Sequence, residues 1–298
     1  MKKVIARILG GSGNQLFCYA AARRLALAND AELVLDDVTG FAWDFQYRRQ
    51  YVLDRFNITA RKATRAERLE PFGRYRRGAI KWLSRKKPFI ERCYLEEERA
   101  GFDARLLNLD VRGTLYLDGY WQSEKYFKDV EGVIRNDLRI KPPEDTINNN
   151  ISQNIRGCNA IALHVRWFDK LGAAEIHNMS ASYYNRAIAL MEKKFKNPHY
   201  FVFSDDPVAA QAKLPFLEGR MTFVSHNRGS ENAYADLWLM SLCKHFIVAN
   251  STFSWWGAWL SGSAAERLII APESIKLFNP DILPQGWVSI RSVFNGGE

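Results

Sequence analysis

The sequence predicts an α/β protein built from two Rossmann-like domains, each a doubly wound parallel sheet covered by helices. Three observations lead there. Short apolar runs alternate with stretches of helical periodicity along most of the chain. The first of these alternations, strand then glycine turn then helix then strand, is a βαβ unit. One polar, proline-bearing stretch, Pro142 to Gly157, reads as a linker and divides the chain into residues 1–145 and 146–298.

The elements follow in order. Val4 to Leu9 reads as a strand, Gly10-Gly11-Ser12-Gly13 as a turn, about 14–28 as a helix and Glu32 to Leu35 as the second strand. Residues 40–112 are irregular and basic. Thr114 to Leu117 is strand-like, and a helix pattern after it ends before Lys141-Pro142-Pro143. Beyond the linker, strands are expected at 160–165, 200–203, 221–225, 246–249 and 267–270, with helices at 181–196, 231–243 and 253–261.

Composition narrows the class. With 47% apolar and 25% charged residues the chain has the make-up of an ordinary globular protein. No run approaches the roughly 18 apolar residues of a membrane span, and Met1-Lys2-Lys3 leads into a strand without a secretory apolar core. A soluble, cytoplasmic chain is therefore expected. Cys18, Cys93, Cys158 and Cys243 lie far apart without CxxC or Cys/His spacing, which fits four buried thiols in a reducing compartment and argues against zinc.

Charge is concentrated. Between Arg61 and Arg92 twelve Lys/Arg stand against three Glu, a net +9 equal to that of the whole chain. Within that segment Tyr75, Ala79, Trp82 and Leu83 share one helical face, with Arg76, Arg77, Arg85, Lys86 and Lys87 on the others. The plainest reading is a solvated helix whose aromatic stripe packs on its own core. A basic amphipathic helix also suits an anionic membrane surface, at the inner membrane face for a cytoplasmic chain, or a phosphate-bearing substrate. No RNA- or DNA-binding signature accompanies the charge, so no nucleic-acid partner is expected.

In open parallel sheets ligands bind beyond the carboxyl ends of the strands. The segments there are "GGSGNQ" (10–15), "HVRWFD" (164–169), "SDDP" (204–207), "SHN" (225–227) and "NSTFS" (250–254), all rich in groups that bind phosphate, sugar hydroxyls or a base. Taken singly each has a structural explanation: Gly11 and Gly13 let backbone amides approach an anion or merely turn the chain, and Asn14 suits a helix cap. In "SDDP", which opens with Ser204, Asp205-Asp206 could bind ribose hydroxyls, hold a metal or cap a helix before Pro207, and adjacent aspartates without a residue between them make the metal the least favoured of the three. Asn250-Ser251-Thr252-Phe253-Ser254 looks like a strand-to-helix turn with caps, yet its three hydroxyls beside backbone amides at a helix start would suit a pyrophosphate. Arg166 would set a fixed positive fork beside a phosphate. Asp36 and Asp37 end the second strand where a dinucleotide-binding acid would stand, but "GGSGNQ" lacks the third glycine of that fingerprint.

Four blocks, "GGSGNQLFCYAAARRLA" (10–26), "ALHVRWFD" (162–169), "FVFSDDP" (201–207) and "DLWLMSLCKHFIVANSTFSWWGAWL" (236–260), resemble in order those of glycosyltransferase family 11, the α-1,2-fucosyltransferases. The resemblance implies two Rossmann-like domains facing one another (the GT-B arrangement), GDP-fucose as donor, a galactose-containing glycan as acceptor, inversion at the anomeric carbon, and no metal or other cofactor. It implies that Arg166 neutralises the β-phosphate of departing GDP, that His164 contacts guanine and Asp236 reads its N1 and N2 donors, and that Ser251, Thr252 and Phe253 hold the pyrophosphate and base. Asn14 matches the asparagine placed near the reacting centre. Asp169 is the candidate general base or an ion-pair partner of Arg166. The first half would serve the acceptor, which a lipid-linked glycan would supply if the basic helix lies on a membrane. Where the familiar form reads HVRRGD, Trp167-Phe168 replace Arg-Gly and remove a positive charge. That departure keeps open a non-catalytic GDP-sugar- or glycan-binding module, or a transferase for another nucleotide sugar.

Overall fold

Lys3–Arg7 (β1) has Val4, Ile5 and Ala6 buried, the pattern of a strand covered on both faces. In the computed structural model, which describes residues 1–167, 178–214, 217, 219–262 and 266–291, β1 lies at the centre of a five-stranded sheet. Its neighbours are Glu32–Asp36 (β2) and Thr114–Asp118 (β5); Arg61–Lys62 (β3) and Tyr94–Glu96 (β4) form the edges. Every pairing is parallel. Together with the Ser12–Ala28 helix these strands belong to a first unit, Met1–Arg139; a second spans Ile140–Glu298.

The second unit is organised around Ala160–Val165 (β6), buried at all six positions. Its sheet runs β11-β10-β9-β6-β7-β8, again parallel throughout, with His199–Ser204 (β7), Met221–Val224 (β8), His245–Ile247 (β9), Ile269–Pro272 (β10) and Val288–Ile290 (β11). Strand order reverses at β6, which continues to β7 and β8 on one side and meets β9 on the other. Such a switch point opens a crevice at the carboxyl ends of the strands. Tyr183 and Tyr184, buried on the Ala181–Lys194 helix, donate hydroxyls to the Val248 and His164 carbonyls and so tie down both lips. Below the crevice Trp255, Trp256 and Trp259 of the Thr252–Leu260 helix pack together, and the Trp255 indole Nε1–H donates to the Ile282 carbonyl at 2.7 Å.

Three expectations need correction. The supposed linker carries a helix, Thr146–Arg156, started by Asp145, whose carboxylate accepts from the Asn148 backbone N–H at 2.8 Å. Its polar run is helical because Asn148, Ser152 and Ile155 pack inward. Two thiols are buried, Cys18 and Cys243, while Cys93 is exposed and Cys158 half-buried. The aromatic stripe of the basic helix, Gly73–Arg85, faces outward: Tyr75, Trp82 and Leu83 are exposed, and the only buried residue of the helix is Ser84.

Candidate active site in the second unit

Register builds the site. Val165 of β6 pairs with Ser204 of β7, so the next residues, Arg166 and Asp205, emerge side by side. Arg166 Nη1 lies 2.6 Å from Asp205 Oδ2, and the Trp167 backbone N–H donates to Asp205 Oδ1 at 2.8 Å. One carboxylate therefore fixes both the guanidinium and the backbone that carries it. The pair is about one-third exposed, so the fork is accessible while held. Of the neighbouring polar residues, Ser204 is drawn into the turn, donating its hydroxyl to the Asp206 carbonyl and accepting from the Asp206 N–H. Asp206 caps the Pro207–Lys213 helix.

His164, the penultimate residue of β6, is 5% exposed. Burial, with the Arg166 charge nearby, lowers its pKa to about 3, so the imidazole is neutral at physiological pH. Among the described residues its buried Nδ1 has no hydrogen-bond partner, and its ring stands 5.8 Å from that of Phe253. A buried, neutral ring with an idle nitrogen at a strand end is poised to bond a ligand. Across the switch point, Asn250 presents a buried Nδ2, also without a partner among the described residues. Ser251 caps the Thr252–Leu260 helix by accepting from the Phe253 N–H at 3.3 Å. Backbone N–H groups at such a helix start attract anions. Thr252 opens the helix.

Asp236 lies in the first turn of the Ala233–Ser241 helix. Burial raises its carboxyl pKa to about 7, partly offset by the Asn227 amide, which donates at 2.8 Å. Asn227 is held by a reciprocal amide pair with Asn148 at 2.8 and 3.0 Å, and His226 Nε2 joins Asn148 Oδ1 at 3.1 Å. Asn148, on the helix that replaces the expected linker, is thus a support for Asp236 that sequence reading missed. The Lys213 ammonium lies 4.5 Å from the Trp167 ring centre, so a cation stands beside the residue that replaces the familiar second arginine. Asp169 and Phe168 lie outside the described residues.

The glycine turn belongs to the first unit. Gly10 adopts φ +77°, and a Cβ there would meet Asn14 Nδ2 at 2.8 Å and the Tyr120 ring at 2.9 Å, so only glycine fits. Gly11 precedes the Ser12–Ala28 helix with no side-chain cap; a Cβ on it would meet only Arg49 Nε, at 3.9 Å. A guanidinium thus stands beside this helix start, a residue sequence reading did not select. Gly13 is buried. Asn14 Oδ1 accepts from Gln122 Nε2 at 2.9 Å, and Gln15 is stapled to the Gly10 and Gln50 carbonyls and the Val52 N–H. Asp36 is consumed by its own turn, accepting from the Val38 and Thr39 N–H groups and the Thr39 hydroxyl.

In the second of the two parallel sheets an arginine, a neutral histidine and a capped helix start meet at the switch point, an arrangement suited to an anionic ligand. The chain matches glycosyl transferase family 11 over residues 4–291 and belongs to that family. It is 30% identical to an alpha-1,2-colitosyltransferase of Escherichia coli, over 98% of this chain and all of that one. It is 29% identical to the O-antigen biosynthesis glycosyltransferase WbnK of Escherichia coli, over 88% of this chain and 91% of that one. Among solved structures, a mutant of Arabidopsis thaliana FUT1 in complex with GDP shares the fold with TM-score 0.53 and 14% identity, covering 90% of this chain and 70% of that one. The protein is a glycosyltransferase.

Proposed function

We propose that the protein is an inverting, metal-independent α-1,2-fucosyltransferase that moves fucose from GDP-fucose to a galactoside hydroxyl. The observation that carries this is the Arg166 fork, fixed by Asp205 at the switch point beside His164 and the Ser251 helix start. In the reaction the bond from the anomeric carbon to the diphosphate oxygen breaks, the acceptor oxygen bonds to that carbon, and the acceptor proton leaves. Negative charge grows on the diphosphate. Without a metal, Arg166, the Ser251 and Thr252 hydroxyls and the N–H groups of that helix start take it up. His164 and Phe253 would flank the guanine, Asp236 would accept from its N1 and N2 donors, and Asn250 and Ser204 would complete the donor contacts. In this reading the first unit, with Gly11, Gly13 and Asn14, serves the acceptor side of the reaction. Asp169 either takes the acceptor proton or pairs with Arg166.

The test is GDP release from GDP-fucose in EDTA, with and without a panel of β-galactosides, and product mass. Acceptor-dependent release with a fucosylated product is expected. GDP-fucose binding without product from any acceptor would favour a binding module. A second reading, with a colitosyl donor, is favoured by the 30% identity to the colitosyltransferase. Giving both donors in the same assay separates the two.

Asp236 makes the donor step pH-dependent. Its carboxyl sits near pKa 7 without ligand, and guanine donors favour the ionised form, so binding expels a proton. GDP affinity is expected to rise from pH 5.5 to 8 and level off, by about thirtyfold, with the break near 7. Asp236→Asn should flatten the curve and bind weakly throughout. A wild-type affinity flat across this window would remove Asp236 from base reading. The same group acts oppositely on the ligand-free fold: the folded state holds its proton longer than the unfolded chain, so its contribution to stability falls as pH rises from about 4 to 7.

A further inference from the structure

The Gly73–Arg85 helix turns its apolar stripe away from its own unit. Phe72, at the N-cap, is 75% exposed, Tyr75 77%, Trp82 58% and Leu83 54%. At about 100° per residue these side chains, with Ala79 between them, occupy roughly 100° of arc. Gly73, Arg77, Ile80, Lys81 and Ser84 form the opposite, sheltered face. Cations border the stripe on both sides, Arg74 and Arg85 on one and Arg76 and Lys87 on the other, while the Lys86 ammonium lies 3.3 Å from the Trp82 ring centre. The helix contains no Asp or Glu. Arg85 pairs with Glu96; among the described residues Arg74, Arg76, Lys86 and Lys87 have no carboxylate within ion-pair distance. The surface extends past the helix. Ile90 is exposed in the turn after it, and the Arg74 guanidinium lies 4.8 Å from the ring of exposed Trp43, itself packed edge-on against exposed Phe45.

We infer that this face docks on an anionic lipid bilayer, the stripe entering the boundary between headgroups and acyl chains while the flanking cations meet the lipid phosphates. Three features select this occupant. A monomer rarely leaves so many large apolar side chains together in water. An apolar stripe bordered by cations is the pattern of an interfacial helix. A second copy of the same face would bring like charges together, which opposes self-association. None of this depends on which sugar the enzyme transfers.

The test is flotation of the full chain with vesicles of phosphatidylcholine containing phosphatidylglycerol, beside vesicles of phosphatidylcholine alone. Recovery with the anionic vesicles and little with the neutral ones is expected. The exposed double variant Trp82→Ser/Leu83→Ser should keep the wild-type melting temperature and lose at least about tenfold in vesicle affinity. Arg76→Gln and Lys86→Gln should each lose about fivefold, consistent with one surface charge apiece. Failure to float with anionic vesicles would overturn the inference. So would flotation unaffected by the Trp82/Leu83 pair, which would place binding elsewhere. Lipid-free dimerisation, or RNA binding, that this pair abolishes while flotation persists would assign the face to a different partner.

Discussion

Arg166→Ala is expected to leave the fold intact and lower transfer by roughly 10²–10³, a loss of about 2.7–4 kcal/mol of transition-state stabilisation. In the proposed reaction charge builds on the leaving diphosphate, where a fixed guanidinium does more than a mobile one. Asp205 provides the fixing, at 2.6 Å. The variant should therefore fall in kcat more than in KM. Arg166→Lys should recover only part of the loss, since an ammonium is a point charge and cannot reproduce the planar fork. Asp205→Asn makes the sharper contrast. It leaves the arginine present but removes the charge that aims it, while the Trp167 N–H can still donate to an amide oxygen. Activity between wild type and Arg166→Ala is expected. Arg166→Ala turning over at the wild-type rate would overturn the assignment of the site.

Much of the candidate site was legible because the strands beneath it are short and mostly apolar, and the central one is wholly buried. Ala160–Val165 announces itself by six buried positions, and the residues just past Val165 had to lie at the carboxyl edge of a parallel sheet. Pairing across strands was the part that sequence could not show. That Asp205 would stand against Arg166 depends on the Val165–Ser204 register, which no local pattern records. Asn148 was hidden for a related reason: its stretch reads as a polar linker until Asp145 caps it and Asn227 gives its amide a partner. The edge strands Arg61–Lys62 and Tyr94–Glu96 are too short to carry periodicity. The basic helix teaches a separate lesson. Periodicity shows that an apolar face exists and cannot say which medium covers it, and here the outward side carries the aromatics.

Trp255→Ala should destabilise the protein by about 3–5 kcal/mol, the range for truncating a fully buried large aromatic. Trp255 has no exposed surface. It stacks on Trp259 at 6.2 Å, meets Trp256 edge-on at 5.0 Å and lies 5.6 Å from Trp287. Alanine would lose those contacts and the 2.7 Å bond to the Ile282 carbonyl together. Trp255→Phe separates them: it keeps most of the ring and strands the carbonyl, for about 1–3 kcal/mol. Thermal melts should therefore rank wild type, phenylalanine and alanine in that order. The position also bears on the site. The Trp255 backbone N–H donates to the Ser251 carbonyl in the first turn of the helix whose start the proposed function gives to the diphosphate, and the packed, buried ring holds that backbone in place. The folded alanine variant should consequently bind GDP more weakly than wild type at a temperature well below its melt, with a smaller deficit for phenylalanine. A destabilised alanine variant with wild-type GDP affinity would show that the Ser251 turn holds its shape without the tryptophan cluster behind it.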